Sequence, residues 1–295
     1  MAYSPPHKFG QHIGKLLEDI VLYKILKPRL QFFAEDKKYY LDWQRDRPAR
    51  KGKKVTWEDK YENKHDLDFV LEIDGTDYKK GRPIAFIEAA WRRYTKHSKN
   101  KAQEIQGALL PIVEHHHLSA PFYGVVLAGE FTQPAIDQLK NHGFSVLYIP
   151  YKNIVSAFKD IGFDIAFDEK TADITFSNGI KKLSSLSVSD KNTLTQSIVN
   201  ICEDDTNEFM TDLQNTLERY LSQIILIPLF GNRYEYDSID AAMDKLNSLD
   251  ISIVSGSFEK FEIIVDYNNQ DTIRATFSDK KSALNFKWIE KLKRR

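Results

Sequence analysis

The sequence predicts an α/β protein with a mixed central β-sheet flanked by helices, followed by a smaller α+β module. Short apolar runs bounded by turn residues alternate with helical patterns through the first part of the chain. Beyond residue 165 the pattern changes to longer helical stretches and one strong hairpin. We therefore expect a core domain at 1–165, a connector at 166–190 and an accessory domain at 191–295.

The core domain is predicted to begin with a helix and three strands. Apolar residues recur near helical spacing over 13–26, and a first strand follows at 38–43. Two more strands are expected at 65–72 and 83–91, because turn residues separate these apolar runs. The remaining predicted elements are a helix at 98–115, a strand at 122–128, a helix at 133–141, a strand at 144–149 and a helix at 153–159.

The accessory domain shows a different pattern and no constellation of catalytic residues. Residues 171–190 indicate a peripheral hairpin or connector, and 194–227 indicate one or two helices. A helix at 238–249, a hairpin of strands at 258–267 and 272–277, and a last helix at 280–292 follow. Dimerisation, recognition of a DNA sequence and ligand sensing are all open roles for this module.

Two carboxylates mark the second and third predicted strands of the core. Pairing of these strands would bring Asp68 and Glu88 together, and Glu88 lies in an apolar run where an ionised side chain needs a partner. Neighbouring carboxylates repel unless a cation lies between them, and hard oxygen ligands suit Mg²⁺. Asp66 has the same strand parity and is the alternative to Asp68, and Glu72 shares that parity as well.

This element order, with an acidic residue opening the second strand and another inside the third, resembles the PD-(D/E)XK nuclease superfamily, particularly type II restriction endonucleases. The resemblance covers about residues 10–160. It implies a restriction endonuclease-like core in which Asp68 and Glu88 hold one or two Mg²⁺ ions. It also implies a catalytic lysine two residues after the glutamate, but this sequence has Ala90 there.

Members of the superfamily that relocate this lysine to the following helix suggest where its replacement lies. The downstream candidates are Lys96, Lys99 and Lys101. If Ser98 caps the helix, Lys101 shares the stripe of apolar residues that should pack on the sheet, so Lys101 is predicted to be catalytic. Lys99 is the second choice. The resemblance further implies a metal-binding glutamate in the first helix, for which Glu18 is the candidate, the alternative being an ordinary exposed residue.

Two basic segments are predicted to bind DNA. A loop between the first and second strands and a cluster after Glu88 combine positive charge with turn or aromatic residues, which suits contact with phosphates and base edges. The alternative for the loop is an ordinary solvated connection. The predicted DNA-binding residues are Arg47, Arg50, Lys51, Lys53, Lys54, Arg92, Arg93, Lys96 and Lys99.

Together these features predict a Mg²⁺-dependent endonuclease that hydrolyses DNA phosphodiester bonds, most closely a type II restriction enzyme. The resemblance implies double-stranded DNA as substrate, a homodimer, and a cognate DNA methyltransferase encoded nearby. RNA stays an alternative substrate. The alternative function, for which Ala90 is the evidence, is a nuclease-fold protein that has lost catalysis and binds DNA or a protein partner.

Composition narrows the setting without naming a partner. Lys and Arg together number 42, as do Asp and Glu, so net charge favours no particular ligand. No apolar run approaches a membrane span, the first ten residues lack a secretory core, and the single Cys202 excludes an intrachain disulfide framework. We therefore expect a cytoplasmic protein. The run from His115 to His117 is interpreted as the end of a helix, with a zinc site as the alternative.

Overall fold

The computed structural model describes residues 4–50, 52–94, 98–168, 170–228, 233–250 and 260–286. Its contacts divide the chain into two compact units, Met1–Ile112 with Tyr123–Leu213, and Val113–Phe122 with Gln214–Arg295. This boundary differs from the predicted connector at 166–190. Residues in that segment form a helix whose Phe176 is buried against Phe9, with ring centroids 5.6 Å apart, and so belong to the first unit.

The first unit contains a five-stranded sheet in the order β1-β4-β5-β6-β7 and a separate two-stranded sheet, β2-β3. The chain begins with α1 (Pro5–Leu17), a π-helix (Glu18–Leu26) and α2 (Lys27–Asp36). The strands are β1 (Tyr40–Trp43), β2 (Val55–Glu58), β3 (Lys64–Leu67), β4 (Phe69–Ile73), β5 (Arg82–Arg92), β6 (Phe122–Gly129) and β7 (Ser145–Pro150). The other helices are α3 (Ser98–His115), α4 (Gln133–Asn141), α5 (Tyr151–Lys159), α6 (Asp173–Ser184) and α7 (Val188–Leu217).

The larger sheet is mixed, so the predicted α/β class with a mixed sheet and flanking helices is confirmed. Strand β4 pairs antiparallel with both β1 and β5, whereas β6 and β7 run parallel. The single strand predicted at 65–72 is wrong. It is divided at Asp68, because β3 pairs with β2 in its own hairpin while β4 enters the central sheet.

The predicted opening helix at 13–26 is longer than expected and changes its hydrogen bonding part-way. The segment Glu18–Leu26 has i→i+5 bonds, and the Lys27 N–H donates to the carbonyl of Leu22. Pro28 follows at the start of α2, where a proline is tolerated because its missing N–H is not needed. π-helical turns are rare and occur often at functional sites.

The second unit is built on a four-stranded sheet in the order β11-β10-β8-β9. Its elements are β8 (Leu221–Pro228), β9 (Tyr234–Tyr236), α8 (Ile239–Ser248), β10 (Phe261–Tyr267), β11 (Thr272–Phe277) and α9 (Lys280–Leu284). Helix predicted over 221–227 is wrong, because Ile224 and Ile225 belong to a strand that pairs antiparallel with β10. β-Branched side chains fit such a buried sheet well. The continuation of the predicted last helix beyond residue 286 lies outside the described residues.

No helix among the described residues is both long enough and apolar enough to cross a membrane.

A buried ion-pair network joins the loop after β1 to the central sheet. Arg47 Nη1 lies 2.6 Å from Glu72 Oε1 and 2.8 Å from Asp42 Oδ2, and all three side chains are fully buried. Arg47 also donates to the carbonyls of Thr76 and Lys79. Three buried charged side chains therefore fix the loop after β1 and the β4–β5 turn in place.

Replacing Arg47 by Met should lower the free energy of unfolding by about 3 to 5 kcal/mol, because two buried carboxylates lose their partner. Denaturant unfolding measures the change. Lys53→Met is the matched control, since its ammonium is exposed and 4.0 Å from Asp46, and it should change stability by less than about 0.5 kcal/mol. Equal stability of the two variants would contradict the structural role of Arg47.

Candidate metal and catalytic site

Asp68 and Glu88 lie side by side where β4 meets β5. The Asp68 N–H donates to the carbonyl of Ile87 at 3.2 Å, and the Ala89 N–H donates to Asp68 Oδ2 at 2.7 Å. Phe69 pairs with Ile87, and the Asp68 N–H bonds to that same residue, so Asp68 lies beside the part of β5 that carries Glu88. The charge of Asp68 raises the pKa of Glu88, which indicates that the two side chains are close. The structure thus brings together the two carboxylates that the sequence predicts as neighbours.

Burial and nearby negative charge raise the pKa of both carboxyl groups and so favour their protonated forms. Burial raises the pKa of Glu88, and the nearby charge of Asp68 raises it further. Burial also raises the pKa of Asp68, and the charge of Glu18 adds to this. A positive charge from outside the chain would relieve this repulsion, so the pair is suited to bind a cation.

Among the described residues, Lys101 is a cation whose charge acts on both carboxylates. Its charge lowers the pKa of both Asp68 and Glu88, which places the ammonium within electrostatic reach of each. The Nζ atom also lies 3.3 Å from Glu104 Oε2. The apolar stripe used to select Lys101 is confirmed, because Ile105, Leu109 and Ile112 are buried.

The other positions considered for the lysine lie in different environments. Ala90 is only 8% exposed. Lys99 is exposed on α3, and none of the contacts of Asp68 or Glu88 involves it. Lys96 lies outside the described residues.

Glu18 lies at the first residue of the π-helix and is exposed. A close contact between α1 and β5 sets its position: a Cβ on Gly14 would lie 2.7 Å from Trp91 Cδ1, and Trp91 Nε1 donates to the carbonyl of Gly10. Glycine therefore allows the helix to approach the end of β5. The charge of Glu18 raises the pKa of Asp68, so the two carboxylates interact electrostatically. Because Glu18 is exposed, it suits a water-mediated contact to a metal better than direct, buried coordination.

The alternatives to Asp68 have partners of their own. Asp66 accepts hydrogen bonds from Lys54 Nζ at 2.5 Å and from Thr56 Oγ1 at 2.7 Å, and the bond from Lys54 is the main reason that its pKa is lowered. Glu72 is fully buried and bound by Arg47. Within the described ranges, Asp68 is therefore the carboxylate beside Glu88 that has no guanidinium or ammonium in direct contact.

Three arginines predicted to bind DNA are instead used inside the protein. Arg47 is fully buried, as described above, and the Arg50 side chain is 4% exposed with its Nε 3.1 Å from Asp42 Oδ2. Arg93 is 7% exposed, donates to the carbonyl of Phe167, and lies against the Phe176 ring. Because these guanidinium groups are enclosed and bonded within the chain, the prediction that they contact DNA is corrected.

The remaining predicted DNA contacts differ in how available they are. Lys53, Lys54 and Lys99 are exposed, with Lys54 engaged by Asp66. Arg92 is partly exposed, and its Nη2 lies 3.7 Å from Glu104 Oε2. Lys51 lies outside the described residues.

The donor set fits a magnesium ion that keeps several waters. Among the described residues, no group of three or more His, Cys, Asp or Glu side chains is arranged to hold a metal. Mg²⁺ is commonly held by one or two carboxylates together with waters and substrate phosphates, and Asp68 with Glu88 matches that pattern. The zinc alternative for His115–His117 gains no support from the described ligands, and burial lowers the pKa of His116 to about 4.

Tyr23 is a neighbour of this site that the sequence pattern did not indicate. Burial raises the pKa of Tyr23, and the charges of Glu18 and Asp68 raise it further. Tyr23 follows Glu18 by five residues. Residues with this spacing lie on the same side of a π-helix, in which each N–H bonds to the carbonyl five residues earlier. A pattern based on 3.6 residues per turn does not reveal it.

Comparison with known proteins adds little to this picture. No family model matches the chain, and no curated protein matches it. Among solved structures, the chain is similar to one described as a protein of unknown function, AF1548, with 12% sequence identity and a TM-score of 0.27. The match covers 59% of this chain and 95% of that one.

Glu88→Gln should stabilise the metal-free protein at high pH. A carboxyl group whose pKa is raised in the folded state lowers the free energy of unfolding as the pH increases from the ordinary pKa, near 4.3, towards the raised pKa. The reason is that the group ionises at a lower pH in the unfolded chain. Gln cannot ionise, so the variant should match the wild type near pH 4 and exceed it by about 1 kcal/mol or more near pH 8. Urea unfolding in EDTA at several pH values measures this difference.

Glu58→Gln provides the comparison, because Glu58 is exposed on β2 and pairs only loosely with Lys64, at 3.7 Å. It should show no gain that grows with pH. A flat difference between wild type and Glu88→Gln from pH 4 to 8 would contradict the raised pKa.

Proposed function

We propose that the protein is a Mg²⁺-dependent endonuclease that hydrolyses DNA, of the type II restriction kind. The observation that carries this proposal is the pair of partly buried neighbouring carboxylates, Asp68 and Glu88, both within electrostatic reach of Lys101. Carboxylate oxygens suit a Mg²⁺ ion, and an ammonium nearby can offset charge that develops on a phosphate. The resemblance to the PD-(D/E)XK superfamily supports the same reaction.

Each residue has a definable task in this reaction. Asp68 and Glu88, in their ionised forms, would hold the metal, and the Ala89 N–H orients the Asp68 carboxylate. Lys101 offsets the negative charge that develops on the phosphate. Mg²⁺, when bound, lowers the pKa of a coordinated water and polarises the phosphate. Glu18 is placed to orient a water at the edge of the site.

The wider setting of a restriction enzyme belongs to the same proposal. Cutting both strands of a duplex requires two sites, which a homodimer supplies. A host that carries such an enzyme protects its own DNA, so a methyltransferase encoded nearby is expected. The second unit, with its four-stranded sheet, would serve recognition or dimerisation.

A second candidate is a protein that binds DNA or another protein through the same fold without cutting. The specific observation in its favour is the buried methyl group of Ala90, at the position where the superfamily carries its lysine. Under this alternative Lys101 serves only to neutralise the buried carboxylates. Duplex binding without Mg²⁺-dependent cutting would favour this second candidate.

Plasmid DNA incubated with the protein should be cut in Mg²⁺ and left intact in EDTA. Glu88→Gln and Asp68→Asn should each reduce the cutting rate by a factor of about 10² or more, because a metal ligand is lost, and Lys101→Met by about 10². Gel analysis of nicked and linear forms measures the rate.

Asp66→Asn is the matched control, being two residues from Asp68 with its carboxylate already bonded to Lys54 and Thr56. It should retain most of the activity. Full activity of Glu88→Gln would sink the proposed mechanism, and loss of activity in Asp66→Asn but not Asp68→Asn would exchange the roles of the two aspartates.

Metal binding is testable without DNA. Millimolar Mg²⁺ or Mn²⁺ should raise the unfolding temperature of the wild type, because an ion that binds only the folded state stabilises it. The rise should disappear in Glu88→Gln and persist in Glu58→Gln. Differential scanning fluorimetry at pH 8 measures both, and an equal rise in Glu88→Gln would place the ion elsewhere.

A further inference from the structure

A line of side chains leads from Asp68 along the π-helix to the end of β1. Residues five apart in this segment are joined by backbone hydrogen bonds, which puts Glu18 and Tyr23 on the same side of it. Lys27 comes next, as the first residue of α2. The three side chains therefore follow one another away from the acidic pair.

Tyr23 lies between Glu18 and Lys27 along the helix. Its ring packs at a centroid distance of 6.3 Å from Phe69, which follows Asp68, and 6.1 Å from Trp43. Its hydroxyl donates to Gln44 Oε1 at 3.1 Å near the surface. A tyrosine hydroxyl is protonated at neutral pH even at its ordinary pKa, and burial raises the pKa of Tyr23 further, so the group is a hydrogen-bond donor.

Lys27 is a cation without a carboxylate partner in the part of the chain that the structure describes. Its Nζ lies 3.3 Å from the centroid of the Trp43 ring. Burial lowers its pKa, and the neighbouring charge of Arg45 lowers it further. Arg45, by contrast, is paired with Asp77 at 2.6 Å. A partly buried ammonium that faces a second cation and an aromatic ring is stabilised by an incoming anion.

We infer that Tyr23, Lys27 and Trp43 form a subsite that binds a backbone phosphate of the DNA strand next to the phosphate that is cut. The inference rests on the proposed function, because the acidic pair is taken to hold the phosphate that is hydrolysed. Lys27 supplies the charge, the Tyr23 hydroxyl exchanges its exposed hydrogen bond to Gln44 for one to the phosphate, and Trp43 holds the ammonium in place. Such a contact fixes the register of the strand without reading its sequence.

The test measures binding rather than cutting, in a Glu88→Gln background that blocks hydrolysis. Fluorescence anisotropy with a short labelled duplex over a series of salt concentrations gives both affinity and salt dependence. Lys27→Met should weaken binding about tenfold and reduce the slope of log affinity against log salt by about one. Tyr23→Phe should weaken binding by a smaller factor and leave the slope unchanged, because only a neutral donor is lost.

Lys24→Met is the matched control. Lys24 is in the same π-helix, but its ammonium is solvent-exposed and lies 3.6 Å from Asp19, so affinity and slope should stay at the parent values. Lys27→Arg should retain both, because the charge and the stacking on Trp43 persist. Thermal melting establishes that each variant folds. If Lys27→Met does not fold, Lys27→Gln takes its place.

Parent-like affinity and slope in the folded Lys27 variant would overturn the subsite, as would a parent protein that binds no duplex. The two proposals fail separately. Metal-dependent cutting combined with binding that ignores Lys27 would remove the subsite alone. Lys27-dependent binding without any Mg²⁺-dependent cutting would remove the endonuclease alone and leave the subsite in a DNA-binding protein.

Discussion

The antiparallel pairing of β4 with β5 is the constraint on which the candidate site depends. It brings Asp68 close to Glu88, and the Ala89 N–H orients the Asp68 carboxylate. Burial then makes their joint ionisation unfavourable. The sheet thus keeps a local arrangement that is costly in the absence of a cation, which is common where a fold holds a functional site ready.

Glu72 shows that this sheet does contain buried carboxylates that are paired directly with a cation of the protein. Glu72 and Asp42 are fully buried, and the chain provides Arg47 for both, with Arg50 also bound to Asp42. Glu88 lies on the adjacent strand, and among the described residues the cation that acts on it is Lys101, at longer range. Glu72 and Asp42 are paired directly with arginine, whereas no such direct ion pair is seen for Glu88 in the described part of the chain.

Sequence patterns predicted β1, β5, β6, β7, β10 and β11 and the meeting of Asp68 with Glu88, because apolar runs bounded by turn residues mark strands and their pairing. They gave the wrong roles for Arg47, Arg50 and Arg93, since a sequence displays charge but not the partner, and Arg47 meets Glu72 from 25 residues away. The strand at Leu221–Pro228 was mistaken for helix because its apolar run continues the spacing of α7. The π-helix at Glu18–Leu26 was missed as well, because the sequence pattern assumes 3.6 residues per turn throughout.

Ala90 and Lys101 are best understood together. Residue 90 has the strand parity of Glu88, so a lysine there would share its face, whereas Lys101 reaches the same carboxylates from the first turn of α3. The helix position lets Glu104, three residues on, hold the ammonium at 3.3 Å while it faces the pair. A lysine bound in this way has less freedom than one on an open strand, which favours a fixed charge beside the phosphate. The same bond weakens its pull on the carboxylates, so under the proposed function the cation that they bind would come from solution.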